Sequence, residues 1–376
     1  MASRRHFLKA GCRTAGYGLP LMFGLPGACR AVSDCDSAPI AASASPLKEQ
    51  AESRGLLFGS AADRYVLEQD KQYTRTVIDE CAMVTPENSM KWERLQPTPD
   101  GFEFRDADWL VDNAEAHGIL VHGHALVWHL QMPDWFDAHV DASNAEDVMI
   151  RHIDTVVGRY AGRVRSWDVV NEAVYPEYGR NDGLQPSPWL DHLGPGYIDL
   201  AFHKAAEADP NAILVYNDYG LEYDGGWYED RRRSLLDLLT GMVERGVPIH
   251  ALGVQSHLRG HKQTDYRQFE RFLSDVADLG LDLMITELDV RDNSFPADVS
   301  VRDCQVAETY RAYLDMMLDQ PRLRSITVWG LSDRFTWLGE REPRDDGKPV
   351  RPLPFDRDMQ RKPAWNAISR SLADHA

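Results

Sequence analysis

The chain has 376 residues, of which 43% are hydrophobic and 27% charged, so it contains enough apolar material for one large core. Its formal net charge of −18 argues against nucleic acid and anionic membranes as partners, because both would repel it. The five cysteines include no CxxC pair, so neither a thiolate metal site nor a dense disulfide framework is expected.

The first segment of the chain resembles a twin-arginine export signal. Arg4 and Arg5 are followed by an apolar pair and a lysine, and then by a glycine-rich apolar stretch over residues 15–28. That stretch is too short and too broken to cross a bilayer as a helix. We therefore expect residues 1–45 to be a signal and linker for export to the periplasm or beyond, and residues 46–376 to be one folded domain without a membrane span.

From residue 55 onward, short apolar runs alternate with longer amphipathic patterns. Predicted helices repeat apolar residues at three- and four-residue steps, as at Ile153, Val156, Val157 and Tyr160. Eight strand–helix repeats indicate a single (β/α)8 TIM barrel, and continuous apolar strands fit a parallel sheet buried on both faces. The predicted strands are residues 56–59, 82–84, 119–121, 164–170, 213–216, 251–254, 283–285 and 326–328.

Polar and aromatic residues follow almost every predicted strand. In a TIM barrel the carboxyl ends of the strands form the active-site face, so these residues are expected to converge on one rim. They include Glu87, Asn88, His122, His124, Trp128, Asn171, Glu172, Asn217, Asp218, Tyr219, Gln255, His257, Glu287, Asp289 and Trp329.

Glu172 and Glu287 follow the fourth and seventh predicted strands and can face each other across the mouth. Glycoside hydrolysis uses such a pair, one carboxyl protonating the leaving oxygen and the other attacking the anomeric carbon or activating water. A charge in a salt bridge or at a helix start would explain either residue alone. The two together, flanked by Asn171 and His257, favour catalysis.

Six motifs together resemble glycoside hydrolase family 10, the xylanase family. They occur in the family's order and the resemblance covers about residues 55–368. The motifs are Val-Val-Asn-Glu at residues 169–172, Ile-Thr-Glu-Leu-Asp at 285–289, Glu-Asn-Ser-Met-Lys-Trp at 87–92, Gly-His-Ala-Leu-Val-Trp-His at 123–129, Gly-Val-Gln-Ser-His at 253–257 and Val-Trp-Gly at 328–330.

The resemblance implies a role for each matching residue. Glu172 would be the acid/base and Glu287 the nucleophile of a retaining reaction. Asn171 would bind the 2-hydroxyl of the sugar being cleaved, and Asp289 would orient His257 against the nucleophile. The other sugar-binding residues would be Glu87, Asn88, Lys91, His124, Trp128 and Gln131 on the non-reducing side, with Tyr219 and Gln255 at the same rim and Trp329 and Trp337 as walls that favour xylose over glucose.

A few positions depart from the family pattern or allow other interpretations. His122 stands where the family usually has Arg, Gly220 where Asn is common, and residues 340–349 cannot be aligned with it. His122 and His124 could share a strand face and bind a metal, as in amidohydrolase-type barrels. The arginines at residues 231–233 are expected on a solvated helix face.

The sequence therefore predicts a monomeric endo-β-1,4-xylanase that acts on xylan and xylo-oligosaccharides without a metal or other cofactor. Three alternatives remain. They are a β-1,4-glucanase on the same barrel, a metal-dependent barrel hydrolase, and a non-catalytic sugar-binding protein.

Overall fold

The computed structural model describes residues 44–262 and 264–375, and within them the strands close into a parallel barrel. Neighbours pair in the order β6-β5-β4-β3-β2-β1-β9-β8, and a β6–β8 pairing closes the ring. The predicted TIM barrel is confirmed. The strands are β1 (Leu57–Ala62), β2 (Met83–Pro86), β3 (Leu120–Gly123), β4 (Ser166–Asn171), β5 (Ile213–Asp218), β6 (Ala251–Val254), β7 (His257–Arg259), β8 (Asp282–Arg291) and β9 (Leu323–Val328).

Several strands continue further toward their carboxyl ends than their apolar runs predicted. β4 ends at Asn171 and β5 at Asp218, and Asn171 pairs in register with Asn217. β8 runs through Glu287 to Arg291, and the three-residue strand β7 pairs with its second half. The polar residues at the mouth thus still take part in backbone hydrogen bonds between neighbouring strands. These bonds fix the backbone from which their side chains project.

The helices cover the outside of the barrel with one apolar face each. In α7, Met149, Ile153, Val156 and Val157 are buried, as their helical spacing predicted. The helices are α1 (Leu47–Glu52), α2 (Arg64–Gln69), α3 (Lys71–Glu80), α4 (Trp92–Leu95), α5 (Arg105–Ala116), α6 (Phe136–His139), α7 (Ala145–Arg159), α8 (Pro188–Leu193), α9 (Tyr197–Ala208), α10 (Gly226–Glu244), α11 (Arg267–Asp278), α12 (Val299–Leu318), α13 (Leu338–Arg341) and α14 (Pro363–Asp374), with 3₁₀ turns at Pro176–Tyr178 and Asp333–Phe335.

The apolar core has two parts. The larger part lies between the helices and the strands, and each fully buried Val, Leu, Ile, Met or Phe side chain there contributes about 1.5–3 kcal/mol. The smaller cluster draws on β2, β5, β6 and β8 and fills the barrel interior with Met83, Val215, Ala251 and Met284. The barrel is therefore a packed core, and binding is left to the rim.

A single carboxylate, Glu80, joins the first and last helices of the described chain. Glu80 is 4% exposed at the end of α3 and accepts a 2.8 Å hydrogen bond from the backbone N–H of Leu47 in α1. Its other contacts are Arg361 at 2.7 Å and the indole N–H of Trp365 in α14 at 3.2 Å. We refer to these four residues as the Glu80 clasp.

The prediction of a solvated arginine face over residues 231–233 was wrong for two of its three members. Arg231 is fully buried and forms an ion pair with Asp218 at 2.6 Å. Arg232 is also buried, and its guanidinium donates to the carbonyl oxygens of Leu221 and Tyr223. Local sequence could not show these distant partners.

The proposed export signal lies outside the described residues, apart from Ala44 and Ser45. Over the part of the chain that the structure describes, no helix combines the length and the apolar character that a membrane crossing requires.

Candidate active site

Glu172 lies directly after β4, at a left-handed backbone position with φ 57°, and its N–H donates to the carbonyl oxygen of Asn217. The half-buried side chain accepts hydrogen bonds from Gln255 Nε2 at 2.8 Å and Trp128 Nε1 at 3.0 Å. Burial raises the pKa of Glu172 to about 7; the two hydrogen bonds oppose this, and the nearby charges of Asp218 and Glu287 add to it. Glu172 is thus suited to hold a proton near neutral pH.

Glu287 in β8 is 5% exposed and has a different environment. Its carboxylate accepts from Asn217 Nδ2 at 2.8 Å and contacts His257 Nε2 at 3.2 Å. Burial alone would raise the pKa of Glu287, but the hydrogen bond from His257 and the charges of His124 and His257 outweigh it and lower the pKa below its ordinary value. Glu287 is therefore ionised when Glu172 is protonated.

A chain of contacts holds His257 in its charged form. His257 Nδ1 lies 3.0 Å from Asp289 Oδ1, and the indole N–H of Trp337 donates to Asp289 Oδ2 at 2.7 Å. Burial disfavours the imidazolium, yet Asp289 and Glu287 together raise the pKa of His257 to about 10. The orienting role predicted for Asp289 fits this geometry.

Three amide side chains connect the two carboxylates. Asn217 Nδ2 contacts both Glu287 and Asn171 Oδ1, the latter at 3.0 Å, and Gln255 Nε2 lies 3.4 Å from the same Asn171 oxygen while donating to Glu172. Sequence reasoning noted Asn217 without giving it a role. Its register pairing with Asn171 was the missing information.

The amide orientations leave one donor of Asn171 unused. Thr286 Oγ1 donates to Asn217 Oδ1 at 2.7 Å, which directs Asn217 Nδ2 toward Asn171. Asn171 Nδ2 is buried and has no hydrogen-bond partner among the described residues. A buried donor without a partner costs about 1–3 kcal/mol, so a ligand oxygen is its natural partner.

A second polar group lies beside the pair, on the loops that follow β2 and β3. Lys91 Nζ donates to Gln131 Oε1 at 2.8 Å and contacts Asn88 Oδ1 at 3.4 Å. Asp63, which sequence reasoning missed, fixes Asn88 by accepting from its Nδ2 at 3.0 Å. The Lys91 ammonium also lies 5.2 Å from the ring centroid of Trp128, so all these side chains reach one patch.

Glu87 belongs to this patch and has an unusual protonation behaviour. Burial raises the pKa of Glu87 to about 7, and the charge of Asp63 adds to the effect while Lys91 opposes it. A neutral Glu87 can donate as well as accept a hydrogen bond, which suits a site for sugar hydroxyls.

His124 and Trp329 close the floor of the site. His124 Nδ1 lies 2.8 Å from Asp168 Oδ2, and its ring meets Trp329 edge-on at 5.3 Å. His122, the other half of the suggested metal pair, contacts Ser166 at 2.7 Å and the same Asp168 oxygen at 3.1 Å. Both imidazoles thus contact the buried carboxylate of Asp168. Burial would raise the pKa of Asp168, but the charges and hydrogen bonds of His122 and His124 outweigh it and lower this pKa to about 2.

Tyr219 lies at the opposite side of the mouth, just after β5. Its backbone N–H donates to Asp218 Oδ1 at 2.9 Å, and the guanidinium of Arg231 lies 4.2 Å from its ring centroid. Burial raises the pKa of the Tyr219 phenol; the charge of Arg231 opposes this, and the negative charge of Glu172 adds to it. The predicted site residues therefore meet at one rim.

Comparison with known proteins places this geometry in a family. Residues 46–371 match the family model described as Glycosyl hydrolase family 10. The chain belongs to glycosyl hydrolase family 10. The resemblance predicted from the six motifs is thereby confirmed.

Family 10 relatives match over most of the chain. "Endo-1,4-beta-xylanase B" of Thermotoga neapolitana is 34% identical over 335 residues, covering 88% of this chain and 92% of the relative. "Endo-1,4-beta-xylanase 3" of Hypocrea jecorina (strain ATCC 56765 / BCRC 32924 / NRRL 11460 / Rut C-30) is 36% identical over 315 residues, covering 83% and 81%. The solved structure of xylanase 10B from Thermotoga petrophila RKU-1 in complex with xylobiose matches with TM-score 0.80 and 34% identity, covering 88% of this chain and 98% of the other.

Proposed function

We propose that this chain is a retaining endo-β-1,4-xylanase in which Glu172 is the acid/base and Glu287 the nucleophile. The observation that carries the proposal is the contrast between two linked carboxyls. Glu172 is held by neutral N–H donors, with a pKa of about 7, whereas Glu287 is held against the imidazolium of His257 with a lowered pKa. One site thus offers a proton and a carboxylate at the same pH.

In the first step, Glu287 attacks the anomeric carbon while Glu172 transfers its proton to the departing glycosidic oxygen. The C–O bond to the leaving sugar breaks, and a glycosyl ester of Glu287 forms. Retention requires the two carboxyls to lie about 5–5.5 Å apart. Asn171, Asn217 and Gln255 link the two carboxyls by hydrogen bonds at the same rim.

In the second step, Glu172 acts as a base. Forming the ester removes the charge of Glu287, and that charge is one of the causes that raise the pKa of Glu172. The pKa of Glu172 therefore falls once the intermediate exists, and its carboxylate can take a proton from water. Attack of that water on the anomeric carbon releases Glu287 and restores the original configuration.

Asn171 and the patch around Lys91 position the sugars. The unpaired Nδ2 of Asn171 is directed to the 2-hydroxyl of the sugar being cleaved, where a hydrogen bond strengthens in the transition state. Trp329 and Trp337 wall the site, which disfavours the hydroxymethyl group of glucose. The xylanase names of the relatives do not favour the alternative of a β-1,4-glucanase, and parallel rates on xylan and soluble cellulose distinguish the two.

A pair of variants tests the assigned roles. Glu287→Ala is expected to lose at least about 10⁴-fold in kcat on every substrate, because no other group replaces the nucleophile. Glu172→Ala is expected to form the glycosyl ester normally from aryl xylobiosides with acidic phenol leaving groups, which need little protonation. Burst kinetics and proton NMR of the product anomer measure both effects. Equal loss in both variants, or an inverted product, would contradict the assignment.

We also propose that a twin-arginine-type signal exports the protein, which then acts as a monomer. The support is the Arg4-Arg5 pair with its apolar and small-residue segments. Replacing both arginines with lysine is expected to block export. The amount of enzyme retained in the cytoplasm should then be at least about tenfold higher than in wild type. Cell fractionation measures this, and light scattering of the exported enzyme measures its mass; unchanged export of the variant would exclude the signal.

A further inference from the structure

Two arginines lie on the same strand face as His257 and Asp289, further out from the barrel. β7 and β8 pair in parallel, so that His257 is opposite Asp289 and Arg259 is opposite Arg291. Side chains two residues apart in a strand share a face, and the intervening residue of each strand is fully buried on the other face. The two arginines are therefore about 6.5 Å further along the strands than His257 and Asp289. We refer to Arg259 and Arg291 as the arginine pair.

Arg291 lies beside a wall of the active site and has a counter-ion. Its guanidinium carbon is 5.8 Å from the ring centroid of Trp337, and its Nε is 3.1 Å from Glu342 Oε1. The Trp337 ring in turn lies 5.0 Å from the ring of His257, measured between centroids. The arginine pair therefore borders the catalytic mouth, and one of its two charges is compensated by Glu342.

The charge of Arg259 has no such compensation. Its side chain is exposed and forms no hydrogen bond or ion pair with any other residue that the structure describes. Its backbone is fixed, because the Tyr223 hydroxyl accepts from its N–H at 2.6 Å and donates to its carbonyl oxygen at 3.4 Å. The chain carries a net charge of −18, yet the nearby Asp289 and Glu342 each already contact another cation. A guanidinium on a fixed strand without a counter-ion suits an anionic group of the ligand.

The chemistry of the proposed substrate indicates which anion could reach Arg259. The xylose backbone of xylan is neutral, and its acidic groups are the carboxylates of uronic acid branches. A planar guanidinium can bind a carboxylate through two parallel hydrogen bonds. Asn171 is assigned to the 2-hydroxyl of the sugar being cleaved, so a branch on that hydroxyl would be excluded there. The branch that reaches Arg259 therefore belongs to a neighbouring xylose.

We infer that Arg259, with Arg291 beside it, binds the carboxylate of a uronic acid branch on a xylose next to the one being cleaved. This inference rests on the proposed xylanase activity and adds a class of substrate to it. The enzyme should prefer glucuronoxylan to the same polymer whose carboxyl groups have been reduced to neutral hydroxymethyl groups. Because the arginine pair lies at an exposed rim, this preference should weaken as the ionic strength rises.

The test compares glucuronoxylan with carboxyl-reduced glucuronoxylan, which keeps every branch but loses the charge. At low salt, the ratio of kcat/KM for the charged polymer to that for the reduced polymer should be about five in wild type and about one in Arg259→Gln. Arg271→Gln is the matched control. Arg271 is also exposed and without a hydrogen-bond or ion-pair partner in the described part of the chain, but it lies on the outer face of α11. This variant should keep the wild-type ratio.

Glu342→Gln provides a second variant with the opposite effect. Removing the carboxylate that faces Arg291 leaves a second guanidinium uncompensated, so the ratio should rise at least about twofold above wild type. A misfolded variant would not show such a gain. A wild-type ratio near one, an unchanged ratio in Arg259→Gln or a ratio that does not rise in Glu342→Gln would overturn the inference. A wild-type enzyme that fails to cleave neutral xylohexaose would instead overturn the proposed function.

Discussion

At the residue scale, Glu172 and Glu287 carry the same side chain but have opposite pKa displacements. Burial disfavours the charge on both, so the difference comes from their partners. Glu172 receives hydrogen bonds from a neutral amide and an indole, which offset burial only in part. For Glu287, the hydrogen bond from His257, together with the charges of His124 and His257, overcomes burial.

These displacements predict the pH dependence of kcat/KM. Glu172 must be protonated, so activity should fall as the pH rises through about 7. Glu287 must be ionised, so the acid limb should lie below the ordinary pKa of a glutamate. Steady-state rates on xylohexaose across the pH range measure both limbs.

A substitution at Gln255 tests the cause of the alkaline limb. The hydrogen bond from Gln255 stabilises ionised Glu172, so Gln255→Leu should raise the pKa of Glu172 and move the alkaline limb upward by about 0.5–1 unit. The acid limb should stay in place. An alkaline limb that moves down or does not move would show that another group controls it.

Sequence reasoning selected residues whose type and position both indicate chemistry, such as Glu172, Glu287 and His257, and the structure brings these three together. It did not assign Asn217 or Asp63, which act through neighbours on other segments. Their roles depend on strand register and loop contacts, which no local pattern contains.

At the element scale, the register of β7 and β8 brings Glu287, the proposed nucleophile, together with the residues that support it. Glu287 and Asp289 are two residues apart in β8, so they lie on the same face. His257 in β7 pairs in register with Asp289. A slip of one residue would turn these side chains to the other face and separate the imidazolium from the nucleophile.

Asp289→Asn is predicted to weaken the imidazolium that this register holds against Glu287. Losing the charge beside His257 should lower the pKa of His257 by at least about one unit. Trp337→Phe removes only the indole hydrogen bond to Asp289 and should change the pKa of His257 less. NMR titration of the His257 imidazole in both variants measures these changes, and an unchanged pKa of His257 in Asp289→Asn would refute the coupling.

Apolar runs predicted the number and order of the barrel strands but placed several ends too early. β4, β5 and β8 continue into Asn171, Asp218 and Arg291, where the backbone keeps pairing after the side chains become polar. The hydrophobicity pattern also failed for Arg231 in α10. This arginine is buried because it forms an ion pair with Asp218. A hydrophobicity pattern predicts which side chains are buried. It does not show where backbone strand pairing continues past the apolar residues, or where an ion pair allows a charged side chain to be buried.

At the scale of the whole molecule, the Glu80 clasp is predicted to be a principal contributor to stability. Glu80→Gln leaves Arg361 without its counter-ion and weakens hydrogen bonds to Leu47 and Trp365, at a cost of about 2–4 kcal/mol in the free energy of unfolding. Urea unfolding measures the loss.

Arg75→Ala supplies the control on the same helix. Arg75 and Asp79 form an exposed ion pair at 2.8 Å, with side chains 75% and 47% accessible. Such a pair contributes little, so the variant should stay within about 0.5 kcal/mol of wild type. Comparable losses in both variants would show that α3 itself, and not the clasp, is sensitive.

The Glu80 clasp also fixes the position of α1 and α14, and so the place where a second protein domain could be fused to the chain. Arg54, just after α1, donates to the carbonyl oxygen of Leu372 in α14 at 3.1 Å, and Ser369 in α14 donates to Gln50 in α1 at 2.7 Å, so the two helices lie side by side. Both are next to the start of β1, on the face opposite the catalytic mouth. A carbohydrate-anchoring module fused after α14 would leave the cleft clear, and a circular permutant could join α14 to α1 by a peptide that runs back along these two parallel helices.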